Sequence, residues 1–319
     1  MPSSEDTFLA LDIGGTNVKS GLITRGGQIL AFDTFPSTDL GGPETLVAMI
    51  AARLEALCGE ASPSGKPRAL AIGAPGWIRR AEGVVVMAPN LPGWKNLPIT
   101  RLLSQALDIP AVLDNDANLY ALGEWHFGAG KGCANEITLT LGTGVGAGLI
   151  LDGKLWNGSF TSAAEIGHIP LQGVDRVCGC GRTGCLETVA SARGMANSAR
   201  KWIADRRDTT YLGNPDDIDT LAMQDLASRG DPMSLSIFRD AGEAIGIVLT
   251  GVFNLLSLEA AVIGGGGSGA FEFLAPSMLD VLSRHLVTAT MDQIKVVKGA
   301  LGGNAPLLGA AALLSAAGY

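Results

Sequence analysis

The sequence predicts an α/β protein built as two halves with a cleft between them, and three observations carry that prediction. The chain opens with a strand, a glycine turn and a second strand. The same scheme returns near residue 136, an internal pseudo-repeat that shares few residues outside the turn. Around both copies, short apolar runs bounded by Gly and Pro alternate with stretches of helical periodicity.

Taken in order, "TFLALDI", "GGTN" and "VKSGLIT" read as strand, turn and strand, and "GQILAFDTF" adds a third strand to make a meander. "PETLVAMIAARLEALCG" has its apolar residues at helical spacing and stops at Gly59, and "RALAIGAP" returns to a short buried strand. "PITRLLSQAL" reads as helix and "PAVLD" as strand. "NDANLYALGEWHFG" reads as a helix starting directly beyond that strand's carboxyl end, with Asn115 or Asp116 as its cap. "NEITLTLGTGVGAGLILDG" is the second strand–turn–strand unit. Helices follow over 187–205 and 234–257, then a buried strand in "LEAAVIGGGG", another helix, a strand in "QIKVVKG" and a last Ala/Leu helix; "LGNPDDIDT" is the most loop-like interior stretch.

Composition narrows the function. Twenty-three basic against 31 acidic residues give a net charge of −8, which disfavours nucleic acid as a partner, since neutralising phosphates needs clustered Lys and Arg. The start has no basic stretch leading into an apolar run, and "AIGIVLTGVFNLLSL" is too short and too interrupted to span a bilayer, so a soluble cytoplasmic protein is expected, with no membrane partner. The chain is long enough to fold without cross-links, so three of its five cysteines within eight residues, and a histidine ten residues before the first of them, point to a metal site rather than a disulfide framework.

The glycine turns suit an anion. Asp12, Gly14, Gly15, Thr16 and Asn17 bring consecutive glycines and a hydroxyl between two strands, where main-chain N–H groups can face phosphate; Gly142, Thr143 and Gly144 repeat that chemistry. Neither is a Walker loop, and neither is a dinucleotide fingerprint, because each leads into a strand. Asp12 is suited to holding the water shell of a Mg²⁺ ion. Gly265, Gly266 and Gly267 follow a buried strand and precede a helix, a place where backbone can pack against a base or ribose. Asp116 has two readings: a helix cap, or the carboxylate that takes a proton from a substrate hydroxyl in phosphoryl transfer while Asn115 orients that substrate.

Together "LALDIGGTNVKSGLI", "AIGAPGW", "APNLPGW", "DNDANLYALGE", "LGTGVGAGLI", "AEIGH" and "CGCGRTGCLE" resemble the ROK family of sugar kinases and sugar-responsive repressors, which have the two-domain actin-like ATPase (ribonuclease H-like) fold. The resemblance implies a smaller domain of residues 1–117 plus 305–319 and a larger one of 118–304, with the active site between them. It implies a structural zinc on His168, Cys178, Cys180 and Cys185, a closed set with no place for a catalytic water, which argues against a hydrolytic zinc enzyme. It implies that Gly76, Asn90, Asn115, Glu165, His168 and Glu187 hold a pyranose whose 6-hydroxyl faces Asp116. ATP and Mg²⁺ would lie against the two turns, with Thr16 and Thr143 donating hydroxyls and Lys19 nearby.

The implied activity is ATP-dependent phosphorylation of a hexose, glucose first, with N-acetylmannosamine, N-acetylglucosamine, allose or fructose as alternatives, by a homodimer. A repressor would carry a helix-turn-helix domain, and only six residues precede the first strand, so that reading is disfavoured; an inert scaffold would have lost the acid at 116. The sequence departs from the family in two places. Ala164 stands where Gly is common, and Trp77, Arg79 and Arg80 replace a small or acidic stretch.

Overall fold

A computed structural model describes residues 6–41, 43–61, 65–88, 91 and 93–319. The chain begins with β1 (Thr7–Ile13), β2 (Asn17–Thr24), β3 (Ile29–Pro36), α1 (Pro43–Ala61) and β4 (Leu70–Ala74). A small excursion follows, β5 (Trp77–Arg79), β6 (Val84–Met87) and β7 (Lys95–Leu97), before α2 (Ile99–Leu107), β8 (Ala111–Asn115) and α3 (Asp116–Phe127). The second unit has β9 (Glu136–Leu141), β10 (Val145–Leu151), β11 (Lys154–Leu155), α4 (Glu187–Ala190), α5 (Ala192–Ala204), α6 (Thr220–Ser228) and α7 (Pro232–Leu256). It closes with β12 (Ala260–Gly264), α8 (Phe271–His285), β13 (Lys295–Lys298) and α9 (Ala305–Ala316).

The pseudo-repeat is visible in the sheets. One runs β3-β2-β1-β4-β8 and the other β11-β10-β9-β12-β13, each an antiparallel meander of three with two parallel strands added at its inner edge. In both, the glycine turn joins the first two strands of the unit, and the parallel strands put their carboxyl ends on that same edge, where open α/β sheets hold ligands.

Alternation along β1 decides which residues face which core. Leu9, Leu11 and Ile13 pack with Leu46, Ile50 and Leu54 of α1 and Leu103 of α2. Phe8 and Ala10 face the other way, into a cluster with Leu119 and Leu122 of α3, Ile150 of β10 and Leu307 and Leu314 of α9. Asp12 continues the second series and so lies on the α3 side of the sheet. The second sheet buries Leu139 and Ile263 under Phe238, Ile245 and Phe253 of α7 and Leu274 and Met278 of α8.

The cluster shared by both units depends on two glycines. A Cβ on Gly123 of α3 would stand 2.0 Å from the Ala305 carbonyl oxygen, and one on Gly309 of α9 would stand 1.7 Å from that of Leu119. The α3 and α9 backbones therefore touch. Glu124, fully buried at the end of α3, accepts the amides of Ala129, Ala300 and Leu301 and so ties the crossover before α9 to α3.

One expectation is corrected and two elements are added. The helix read over 187–205 is two, because Ser191 leaves the helical region (φ −73°, ψ 158°) and caps α5 by accepting the Gly194 amide. The small sheet β5-β6-β7 is absent from the sequence reading: its strands are three or four residues long, and only Ile78, Val85 and Leu97 face inward. So is α6, which starts at Thr220, the last residue of the stretch read as loop, and is capped by Asp219; the rest of that stretch has no α-helix or strand.

Candidate active site

The site starts from three neighbouring parallel strands. Asp12 on β1 pairs in register with Gly73 on β4, and Gly73 with Asp114 on β8, so the next-to-last residues of all three strands lie side by side. Gly73 makes the arrangement possible: a Cβ there would meet Leu119 Cδ1 at 2.8 Å, Asp12 Oδ1 at 3.4 Å and Asp116 Cα at 3.5 Å. Its role was not read from the sequence, although it sits in a quoted motif.

Asn115 settles the question of the cap. Its backbone is extended (φ −71°, ψ 145°) and its Oδ1 accepts the Ala117 amide at 2.9 Å, so Asn115 is the N-cap of α3 and Asp116 its first residue. Asp116 Oδ1 accepts the same amide at 2.9 Å. Burial, helped by the charge of Glu165, pushes the Asp116 carboxyl up to about 6 against the pull of the helix amides. Asp12 is pushed up to about 7, first by burial and then by the charge of Asp116, with Lys19 opposing. Two acids thus share one desolvated place, the environment in which proton-transfer groups are tuned towards neutral pH.

Beneath them lies a polar network. Asp114, 1% exposed, accepts the Asn115 amide and Asn118 Nδ2, each at 2.8 Å, and its Oδ2 meets Arg80 Nε at 2.9 Å. Asn118 also reaches Asn157 at 3.3 Å. Arg80 is thereby accounted for, as counter-charge to a buried carboxylate. Arg79 pairs with Glu82, and Trp77 is exposed beside Met87, its partner across β5 and β6.

In the first turn Gly14 N donates to the Asn17 carbonyl at 3.0 Å, while Ser37, not singled out in the sequence, donates its hydroxyl to Gly14 O at 2.7 Å and its amide to Thr16 O at 2.8 Å. Gly15, Thr16 and Asn17 are exposed. Lys19, opposite Asp12 in the β1–β2 register, donates to Gly303 O at 2.9 Å. The second turn is closed by Gly142 N donating to Gly144 O at 2.9 Å, and Thr143 is exposed at its tip. The third glycine stretch lies against the second turn. A Cβ on Gly265 (φ +77°) would stand 2.7 Å from the Leu141 backbone, and the Gly265 amide donates to the Tyr120 hydroxyl at 3.1 Å. Gly266 is exposed with open space around it, whereas Gly267 is buried on Leu141.

The remaining residues come from the other unit and the zinc-type loop. Glu165 precedes the 3-10 turn Ile166–His168, and its Oε2 lies 3.9 Å from His168 Nε2. Desolvation raises the Glu165 carboxyl, His168 lowers it and Glu187 raises it, so Asp116, Glu165 and Glu187 form a chain of acids that feel one another. The other ring nitrogen, His168 Nδ1, lies 3.7 Å from Cys178 Sγ. Glu187 holds a position the sequence did not suggest: its Oε2 accepts the Val145 amide at 3.1 Å, beside the second turn. Gly76 (φ +85°) is exposed in the left-handed conformation that favours glycine, next to the end of β4. Asn90 lies outside the described residues. Ala164 has φ +63°, which explains why glycine suits that position.

The cluster fits a zinc ion. One donor atom from each of His168, Cys178, Cys180 and Cys185 lies within 4.8 Å of all the others, and Cys180 Sγ and Cys185 Sγ are 3.7 Å apart. A tetrahedron with bonds of about 2.3 Å has edges of about 3.8 Å. None of the cysteines is in a disulfide. His126 and His285 lie on α3 and α8; Cys133 is buried and Cys58 half-buried.

These motifs have close counterparts. A glucokinase of Thermotoga maritima is 33% identical over 96% of this chain and 96% of its own. The crystal structure of a ROK family glucokinase from Streptomyces griseus in complex with glucose and AMPPNP superposes with a TM-score of 0.82 at 33% identity, over 96% of this chain and 98% of that one. The ROK hexokinase of Thermus thermophilus gives 0.81 at 30% identity over 98% and 99%. The fold is the expected two-domain actin-like ATPase architecture. The ROK family model matches residues 8–317, and the chain belongs to the ROK family.

Proposed function

We propose that this protein is an ATP-dependent hexose kinase that phosphorylates the 6-hydroxyl of glucose. The observation that carries the reading is the placement of Asp116: ionisable near neutral pH, on the first turn of a capped helix, beside Asp12 and within the field of Glu165. Its carboxylate takes the proton of the sugar hydroxyl as the phosphoryl group transfers, while Asn115, Glu165 and His168 hold the ring and Gly76 lets backbone approach it. The exposed residues Gly15, Thr16 and Thr143 face the phosphates, and Asp12 would hold the water shell of Mg²⁺, which neutralises phosphate charge. Gly265 and the open Gly266 support an adenosine site beside the second turn.

His168, Cys178, Cys180 and Cys185 would hold zinc as a staple, so that the imidazole turns one nitrogen to the metal and the other towards Glu165. The domain division at 117/118 and 304/305 is supported by the sheets, one drawn from residues before 116 and the other from 136–298. A homodimer is supported by the apolar outward residues Ile247 and Leu255 on α7. Thiols ready for a metal suit the cytoplasm, and no helix among the described residues is long and apolar enough to cross a membrane. A coupled ADP-release assay over glucose, N-acetylmannosamine, N-acetylglucosamine, allose and fructose tests the reading. Turnover is expected with glucose above the rest; no hexose-dependent ADP release with any of them would refute it.

A further inference from the structure

Glu187 stands at the end of the cysteine loop, where the family resemblance gives it to the sugar, yet its carboxylate reaches the other substrate's side. Oε2 accepts the Val145 amide at 3.1 Å, and Gly144 lies so close beneath it that a Cβ there would stand 2.3 Å from Oε2. Oε1 is met by Arg193 Nη2 at 3.5 Å and by Cys178 Sγ at 3.4 Å. The side chain is 14% exposed and held at both ends of its carboxylate.

The same turn is gripped twice more by this part of the chain. Ala192, just past α4, donates its amide to Gly142 O at 2.8 Å. Gly167, between the two loop residues Ile166 and His168, packs on the Val145 carbonyl so tightly that a Cβ would come within 2.1 Å of its oxygen. Val145 is therefore held by its N–H from Glu187 and at its C=O by Gly167, and each of these residues lies within two positions of a cysteine or histidine of the cluster. A three-residue turn with glycine at two of its positions, Gly142 and Gly144, has little intrinsic preference for one conformation. An ionised acceptor on its amide is the strong kind of hydrogen bond and selects one.

From these contacts we propose that Glu187 is a positioning residue for the nucleotide: it fixes the Gly142–Gly146 turn in its phosphate-receiving shape, so that the loop bearing the four metal-type ligands supports nucleotide affinity as well as sugar affinity. The inference rests on the kinase reading and deepens it. It predicts that two acids of the same chain of charges behave differently. Glu165, exposed and paired with His168 rather than hydrogen-bonded to the turn, serves the sugar alone. Glu187 serves both.

The test is titration calorimetry with AMPPNP and Mg²⁺ on the full chain, without sugar, for the wild type, Glu187→Ala, Glu187→Gln and Glu165→Ala, with thermal melts to confirm folding. Glu187→Ala is expected to weaken AMPPNP about tenfold, the scale of one lost charge-assisted hydrogen bond. Glu187→Gln keeps a neutral acceptor for the Val145 amide and is expected to recover about half of that loss in free energy, and Glu165→Ala is expected to bind within twofold of wild type. A purely structural role would lower the melting temperature without this split. Equal AMPPNP affinity in wild type and Glu187→Ala, or an equal loss in Glu165→Ala, overturns the proposal while leaving the kinase reading intact. A wild type that does not bind AMPPNP overturns both.

Discussion

Replacing Asp116 by Asn removes a group whose acidity the structure sets. Burial places its carboxyl at about 6, so in a single-ionisation description roughly 97% is ionised at pH 7.5 and about a tenth at pH 5. A base must be ionised to work, so wild-type turnover should rise with pH, gain about tenfold between pH 5 and 7.5, and then level. Asp12, at about 7 and coupled to Asp116 by its charge, would steepen that limb when Mg²⁺ is scarce and fade from it when Mg²⁺ is saturating. The Asp116→Asn substitution would keep the shape of the site and the cap of Asn115 on Ala117, so sugar affinity should change by less than about threefold, while kcat should fall by about 10²–10⁴. Steady-state ADP release from pH 5 to 9, with calorimetric sugar binding alongside, measures all three quantities. Residual turnover above about a tenth of wild type, or the same acid limb in Asp116→Asn, would refute the assignment.

The other expectations are simpler. Asp12 binds its proton more tightly folded than unfolded, so this stabilisation is complete below about pH 4 and is lost as pH rises through about 7; Asp12→Asn, neutral throughout, should melt ~2–4 °C higher than wild type at pH 8 without Mg²⁺, and alike at pH 4. Arg80→Met leaves Asp114 buried without its counter-charge and should cost about 3 kcal/mol in urea unfolding, most of it recovered in Arg80→Met/Asp114→Asn. Ala164→Gly relieves a left-handed φ and should stabilise by about 1 kcal/mol in the same assay. Elemental analysis should find one zinc per chain, lost in Cys180→Ser.

Much of this was legible in the residues, for reasons that differ by element. The glycine turns, the capped helix at 116 and the ligand spacing of the cysteine loop are local, and local rules govern them. The strands of the small sheet were not legible, because three or four residues with one facing inward leave no period to read. The placement of Glu187 on Val145 and of Arg80 on Asp114 joins residues 42 and 34 positions apart, and only the packing of loop on turn and excursion on strand brings them together. Gly73 was visible as a glycine, but the reason for it is a carboxylate on one neighbouring strand and a helix start beyond the other.

The bare contact of α3 with α9 bears on how the enzyme moves. Asp116 stands on the first turn of the helix whose Gly123 touches Ala305. If the halves swing relative to one another about that contact, points near the axle travel least. Asp116, about two turns along α3 from Gly123, would then stay close to the axle.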